Sequence, residues 1–269
     1  YFHPFFITLP LKKPTKIVVT VHDLIPLIYP KQYVPGIKGT LRLLVQKFLI
    51  NQADAIITDS ETSKKDIMRF LGVPEDKVNV IRLAQGNSFK QITNKNVLKK
   101  VKEKYRLPDK FILYVGDVNY NKNIPGLIRA CEIVKLPLVI CGKQALDIED
   151  LGLSLKTLKG PKDWVRFLFN IPHPELAHYN DLVNEFKNNS EILRLGFVSE
   201  KDLVAIYNLA TIYCQPSFYE GFGLPVLEAM ACGTPTVIAR TNALVEIADK
   251  ATLIADPRNP KDIANMLFK

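Results

Sequence analysis

Runs of apolar, β-branched residues alternate along this chain with stretches whose apolar positions recur every three to four residues, the pattern of strands taking turns with helices. "KIVVTVH" (16–22) and "ADAIITDS" (53–60) read as strands, with the helical run "GTLRLLVQKFLINQ" between them. "SKKDIMRFLG" reads as a helix, with Ser60 as N-cap and Gly72 just past its end, and the strand "KVNVIRLA" follows. After the lysine-rich helical stretch "NVLKKVKEKYRLP" the alternation restarts with strand "FILYVG" (111–116), helix "NIPGLIRACEIV" and strand "LPLVICG" (136–142). It resumes at "EILRLGFV", with helix "SEKDLVAIYNLA", strand "TIYCQPS", helix "LPVLEAMAC", strand "PTVIA", helix "LVEIAD" and strand "ATLIAD".

Strands separated by helices predict parallel sheets covered on both faces, and a basic, loop-like break near residues 86–110 divides them into two Rossmann-like domains. Residues 143–190 fit least well and read as a loop followed by an amphipathic helix within one long sheet connection. His173 and His178 lie there without further ligands at metal-binding spacing, and the acidic group Asp147, Glu149 and Asp150 reads as a solvated loop.

With 269 residues, 47% of them hydrophobic and 23% charged, the chain can build two cores. Its most apolar windows are too short or too charged to span a bilayer, and no cleavable signal opens it. The four cysteines, Cys131, Cys141, Cys214 and Cys232, sit in apolar runs without metal spacing, which predicts buried thiols in a reducing compartment, the cytoplasm. The chain begins at Tyr1 without methionine and stops at Lys269 inside a helical pattern, which predicts a fragment.

Charge is uneven. Up to Pro108 there are 19 Lys and Arg against 8 Asp and Glu, or +11; from Asp109 the count is 17 against 19, or −2. The first half therefore faces something anionic. No zinc-finger spacing, aromatic RNA-binding run or helix-turn-helix supports nucleic acid. The run containing Lys38, Arg42 and Lys47 carries a broad apolar face, read mainly as packing on the sheet, while its basic residues allow peripheral contact with an anionic membrane.

The most constrained stretch is "YEGFGLPVLEAMACGTP" (219–235), which sets Glu220 and Glu228 eight positions apart around Gly221, Phe222 and Gly223. It joins a strand ending near Pro216 to a helix starting near Pro225, at the carboxyl edge of a parallel sheet, where ligands of doubly wound folds bind. Proline in the first turn and glycine before it leave the helix amides open to a phosphate. Glu228, one turn into the helix, suits a ribose diol, and Glu220 suits the hydroxyls of a sugar at the other end of a diphosphate. Taken singly, each glutamate reads as an ordinary surface carboxylate; the combination does not.

This stretch, within "QPSFYEGFGLPVLEAMACGTPTVIA", resembles the retaining glycosyltransferases of family 4, which carry an E-x7-E motif on a GT-B fold. "VGDVNYNKN" (115–123) is similar to the family's strand-to-helix turn: Gly116 and Lys122 match, with Asn121 beside them, whereas Asp117 stands where many relatives have arginine. That departure leaves Lys122 and the amides near Gly223 and Leu224 as the main counter-charge to a diphosphate. "VTVHDLIPL" (19–27) resembles the family's strand ending in a histidine that faces the donor sugar, a role that His22 inherits. Without the family, Lys122 reads as a surface lysine; for His22 the bland alternative is a buried, satisfied histidine, while its position at a strand's carboxyl end favours a functional role.

The resemblance implies a GT-B-like α/β protein whose two parallel-sheet domains face each other across a cleft, with residues 1–94 a partial, incomplete acceptor-side domain and 95–269 the donor-binding domain. About 100 residues, a domain-sized piece, are expected ahead of Tyr1. The implied reaction is metal-independent hexosyl transfer, mannosyltransferase-like and serving polysaccharide biosynthesis, from a GDP- or UDP-linked sugar to a glycan or lipid-linked acceptor, with no cofactor. His22, Lys122 and Glu220 carry the implied chemistry; Gly116, Asn121, Lys122, Glu220, Gly221, Phe222, Gly223, Leu224 and Glu228 hold the donor. Alternatives are another GT-B enzyme, a nucleotide-sugar epimerase or synthase, and a non-catalytic nucleotide-sugar-binding module.

Overall fold

The computed structural model describes residues 2–4, 15–33, 37–156, 174–248 and 250–269, and it is α/β with two parallel sheets. The chain divides into two compact units. The first takes the chain to Ala84 plus Tyr219–Gly223 and Asn242–Ile247; the second takes Gln85–Phe218, Leu224–Thr241 and Ala248–Lys269.

In the first unit, β1 (Phe2–Pro4), β2 (Val18–Thr20), β3 (Ala55–Thr58) and β4 (Val78–Val80) form a parallel sheet in chain order. Between β2 and β3 lie a short α1 (Ile25–Ile28) and α2 (Ile37–Ile50). After β3 comes α3 (Glu61–Asp66), which runs on as a π-helical turn through Leu71. Ser60 caps α3 by accepting from the Ser63 amide, and Gly72 ends it in the left-handed region, as the sequence predicts. Val19, Val21, Leu49, Ile50, Ile56, Ile67 and Val78 close the core. On α2, Leu49 and Ile50 are buried, but Leu41, Leu44 and Phe48 are 62%, 60% and 72% exposed, so only part of the helix's apolar surface packs on the sheet.

The second unit opens with α4 (Lys95–Tyr105), β5 (Ile112–Val115), α5 (Ile124–Val134) and β6 (Leu138–Cys141). It continues with α6 (Lys143–Lys156), α7 (Pro174–Asn188), β7 (Ile192–Gly196), α8 (Glu200–Leu209) and β8 (Ile212–Gln215). α9 (Leu224–Ala231), β9 (Thr236–Ala239), β10 (Leu253–Ala255) and α11 (Pro260–Phe268) complete it; α10 (Asn242–Ala248), between β9 and β10, falls mostly in the first unit. The sheet order β7-β6-β5-β8-β9-β10, all parallel, is that of a Rossmann fold. β5 and β6 are buried nearly throughout, hence their uninterrupted apolar sequence.

The connection after β6 differs from its sequence reading. Lys143 to Lys156 is helical, so Asp147 and Glu149 lie on a helix instead of a loop; Lys143 pairs with Asp147 one turn on, and Arg194 bonds Glu149 at 3.1 Å. His173 lies outside the described residues. The four cysteines are buried free thiols, and burial pushes the Cys141 thiol up to about 12. Among the described residues no helix is long and apolar enough to cross a membrane.

Candidate active site

In the second unit, β5 and β8 are neighbours although an α/β excursion separates them in sequence, and the loops leaving their carboxyl ends lie at the point where the strand order reverses. Ligands of doubly wound sheets bind there. The loop after β5 starts at Gly116, whose φ of 140° favours glycine and whose amide donates to the Cys141 carbonyl at 2.9 Å. Asp117 is exposed, and its carbonyl accepts from the Tyr114 hydroxyl. α6 and α7 hold the next residues: the Val118 amide donates to Gln144 Oε1 at 2.6 Å, and Asn119 Oδ1 accepts from Gln144 Nε2 and the Tyr179 hydroxyl. His178 Nε2 donates to the Val118 carbonyl at 2.8 Å, and burial pushes the ring's pKa down, so it is a satisfied, structural histidine.

A 3-10 turn, Tyr120–Lys122, leads into α5, with Asn121 buried and Lys122 half-buried. Asn123 ties this turn to the loop after β8, since its Nδ2 donates to the Pro216 carbonyl at 3.0 Å and to the Pro257 carbonyl at 2.7 Å. The Phe218 amide donates to the Asn121 carbonyl at 2.8 Å, and the Tyr120 ring lies between those of His178 and Phe218. The two switch-point loops are therefore one hydrogen-bonded assembly. Helix α9 begins at Leu224, with Pro225 as its second residue and Gly223, φ 123°, before it. On α9, Glu228 Oε2 accepts from the Tyr207 hydroxyl at 2.8 Å, and burial raises the carboxyl's pKa.

The motif crosses the division of the chain: Tyr219, Glu220, Gly221, Phe222 and Gly223 group with the first unit, Leu224 and Glu228 with the second. Glu220 and Phe222 are buried. Gly221 does not adopt a left-handed φ. Its glycine is required because a Cβ would stand 2.6 Å from the His22 carbonyl oxygen and 2.8 Å from Asp23 Cβ. Two buried hydroxyls hold the Gly221 carbonyl, Ser60 Oγ at 2.6 Å and Ser63 Oγ at 3.1 Å.

His22 follows β2 at its carboxyl end. Its ring is not buried: the side chain is 58% exposed, while Nδ1 is 2.7 Å from Oδ2 of Asp59, whose side chain is 5% exposed. With the carboxylate accepting from Nδ1–H, Nε2 remains as an acceptor on this part-exposed ring. The parallel pairing of Thr20 with Ile57 explains the contact, because two further residues along each strand bring His22 beside Asp59. Beyond them, Glu246 on α10 accepts from the Glu61 and Thr62 amides at the start of α3 and from Arg82. Sequence reasoning missed Asp59, Ser63, Asn123, Tyr207 and Glu246. Among the described residues no three His, Cys, Asp or Glu side chains group so as to hold a metal ion.

Two family models match the chain, "Glycosyl transferases group 1" over residues 97–268 and "Glycosyltransferase Family 4" over residues 1–83. The chain belongs to the group 1 glycosyl transferases. It is 30% identical over 259 residues to the serotype-specific mannosyltransferase WbdA of Escherichia coli, covering 95% of this chain and 29% of that one. To the O-antigen chain mannosyltransferase B of Escherichia coli it is 29% identical, covering 90% of this chain and 58% of that one. The chain thus spans from under a third to somewhat over half the length of these relatives. Among solved structures it is similar in fold to Anabaena HepE in complex with UDP and glucose, with a TM-score of 0.66 at 18% identity, covering 94% of this chain and 61% of that one. Sucrose-phosphate synthase from Thermosynechococcus elongatus gives 0.66 at 22% identity, with 94% and 58% covered. These two likenesses establish the GT-B fold.

Proposed function

We propose that this chain carries the donor site of a retaining hexosyltransferase, which moves a sugar from a nucleoside diphosphate to a hydroxyl of a glycan or lipid-linked acceptor. The observation that carries the reading is the assembly of the loops after β5 and β8, joined by Asn123 and by the Phe218–Asn121 hydrogen bond, with Lys122 next in sequence to Asn121. Residues 95–269 would then be the donor-binding domain and 1–94 the acceptor side. The mannosyltransferase relatives favour a mannosyl donor and a polysaccharide acceptor.

In this reading Gly116 and Asn121 let the diphosphate approach the backbone. Lys122 and the amides at Gly223 and Leu224 oppose the charge that grows on it. Glu228 accepts from the ribose hydroxyls, while Glu220, in the Gly221–Phe222 bend, and His22, through Nε2, accept from hydroxyls of the transferred sugar. The sugar C1–O bond to the diphosphate breaks, the acceptor oxygen joins C1 on the face that the diphosphate leaves, and the acceptor's proton passes to the departing phosphate oxygen. No enzyme nucleophile takes part.

The exposed Leu41, Leu44 and Phe48, with Arg42 and Lys47 on the same helix, support peripheral contact with an anionic membrane, where a lipid-linked acceptor would lie. Titration calorimetry of GDP, UDP and their sugars into the full-length protein tests the donor site. Saturable binding that weakens in Glu228→Ala supports it; no binding by folded protein rejects it.

A further inference from the structure

We propose that Asp59 and Ser63 are positioning residues for the transfer step, which together hold the His22 ring and the Glu220–Gly221 backbone in one fixed relation. The proposal rests on the reading that His22 and Glu220 face the transferred sugar.

The run from Asp59 to Ser63 follows β3 directly and leads through the Ser60 cap into the first turn of α3. Its first residue takes the imidazole. Burying a carboxylate is costly unless it is paired, yet Asp59 is buried and spends one oxygen on a largely exposed ring. A histidine with no task at that place would be solvated without such an anchor.

The serines take the backbone. Ser60 Oγ accepts the Ser63 amide as N-cap and donates its hydrogen to the Gly221 carbonyl. Ser63 Oγ shares its single hydrogen between the carbonyls of Gly221 at 3.1 Å and His22 at 3.0 Å. Both serines are buried, so water does not compete for those bonds. The His22 and Gly221 main chains lie so close that a Cβ at 221 would not fit, and Glu220 is the residue just before. One short segment thus holds an imidazole and the backbone carbonyl that follows Glu220, the kind of support that catalytic geometry requires.

Ser63→Ala is the clean variant because the cap of α3 uses the Ser63 amide and leaves its hydroxyl free for the clamp. Asp59→Asn leaves the serine clamp intact and removes the charge that fixes the His22 tautomer. In the full-length protein, with donor varied and melting temperature recorded, each variant should lose about tenfold or more in kcat while its donor KM stays within about twofold. Should Ser63→Ala lower the melting temperature by more than about 4 °C, Asp59→Asn alone decides. An unchanged kcat, or kcat and KM changing in proportion, overturns the proposal. His22→Ala and Glu220→Gln run alongside: if these lose activity and the positioning variants do not, only this inference falls; if these are fully active, the sugar-facing reading itself falls.

Discussion

The Tyr207 hydroxyl donates to Oε2 of Glu228 at 2.8 Å, joining the helix that enters β8 to the helix that leaves it. Tyr207 is itself locked, its ring against Phe89 and Tyr213 and its carbonyl accepting from Thr234. The Glu228 carboxylate is thus held by a fixed partner. If Glu228 holds the ribose as proposed, that contact is equal in ground and transition states, so Glu228→Ala should weaken donor binding by about 1 to 3 kcal/mol with the loss carried by KM. Tyr207→Phe should weaken it less. Donor titrations of both variants check this, and unchanged affinity in Glu228→Ala would make the residue a structural carboxylate.

The same burial makes Glu228 a pH-dependent cost. Burial, with Glu200 adding to it, raises the carboxyl's pKa despite the Tyr207 hydrogen bond. A carboxyl whose folded pKa is raised contributes stability that is present below its ordinary value and lost as pH rises through the raised one. Glu228→Gln abolishes that titration and keeps an acceptor for Tyr207. Its melting temperature relative to the parent should therefore be higher at pH 7 than at pH 4. A difference that does not change with pH would contradict the assignment.

On the proposed reading, Lys122 faces charge that grows as the bond to the diphosphate breaks. Lys122→Ala should lower kcat by about two orders of magnitude, with a smaller effect on nucleotide affinity. Single-turnover rates beside calorimetric titrations separate the two. Normal turnover would show that the Gly116 loop does not touch the diphosphate.

Gly221→Ala places a methyl group 2.6 Å from the His22 carbonyl oxygen, and backbone, unlike a flexible side chain, must move to relieve it. Overpacking of this kind costs about 1 to 3 kcal/mol. The variant should melt lower than the parent and lose transfer activity. Melting by circular dichroism, together with turnover, measures both, and a silent substitution would remove the tight packing from the account.

If α2 makes the proposed membrane contact, co-sedimentation should require acidic lipid and fall as salt rises. Each basic residue near an anionic surface contributes about 1 kcal/mol, so Arg42→Gln with Lys47→Gln should cost about tenfold or more in partitioning. Phe48→Glu should abolish it. Sedimentation indifferent to acidic lipid and to salt would rule the contact out.

The alternation of strands and helices is legible because each fully buried strand is an apolar run and several helices announce their ends, as Ser60 and Gly72 do for α3. β1 is not legible: three residues ending in proline carry no pattern, and only pairing with β2 makes them a strand. The helix from Lys143 reads as a loop in sequence because its polar residues mask a weak periodicity. Gly116, Lys122, Glu220 and Glu228 stand out because each lies in a dense local motif. Asp59 and Tyr207 do not, since their roles come from partners 37 and 21 residues away, brought near by strand register and helix packing. The broad apolar face of α2 is visible in the sequence, but the part left exposed depends on which turn meets the sheet.

The stereochemistry of the product tests the central claim most directly. The full-length protein is incubated with GDP- and UDP-linked hexoses and a glycan acceptor, and nucleoside diphosphate release and the anomeric configuration of the new linkage are read by NMR. The account predicts one nucleoside diphosphate released per glycosidic bond formed, with the sugar keeping the donor's anomeric configuration. An inverted linkage, or donor bound without release of nucleoside diphosphate, would contradict it.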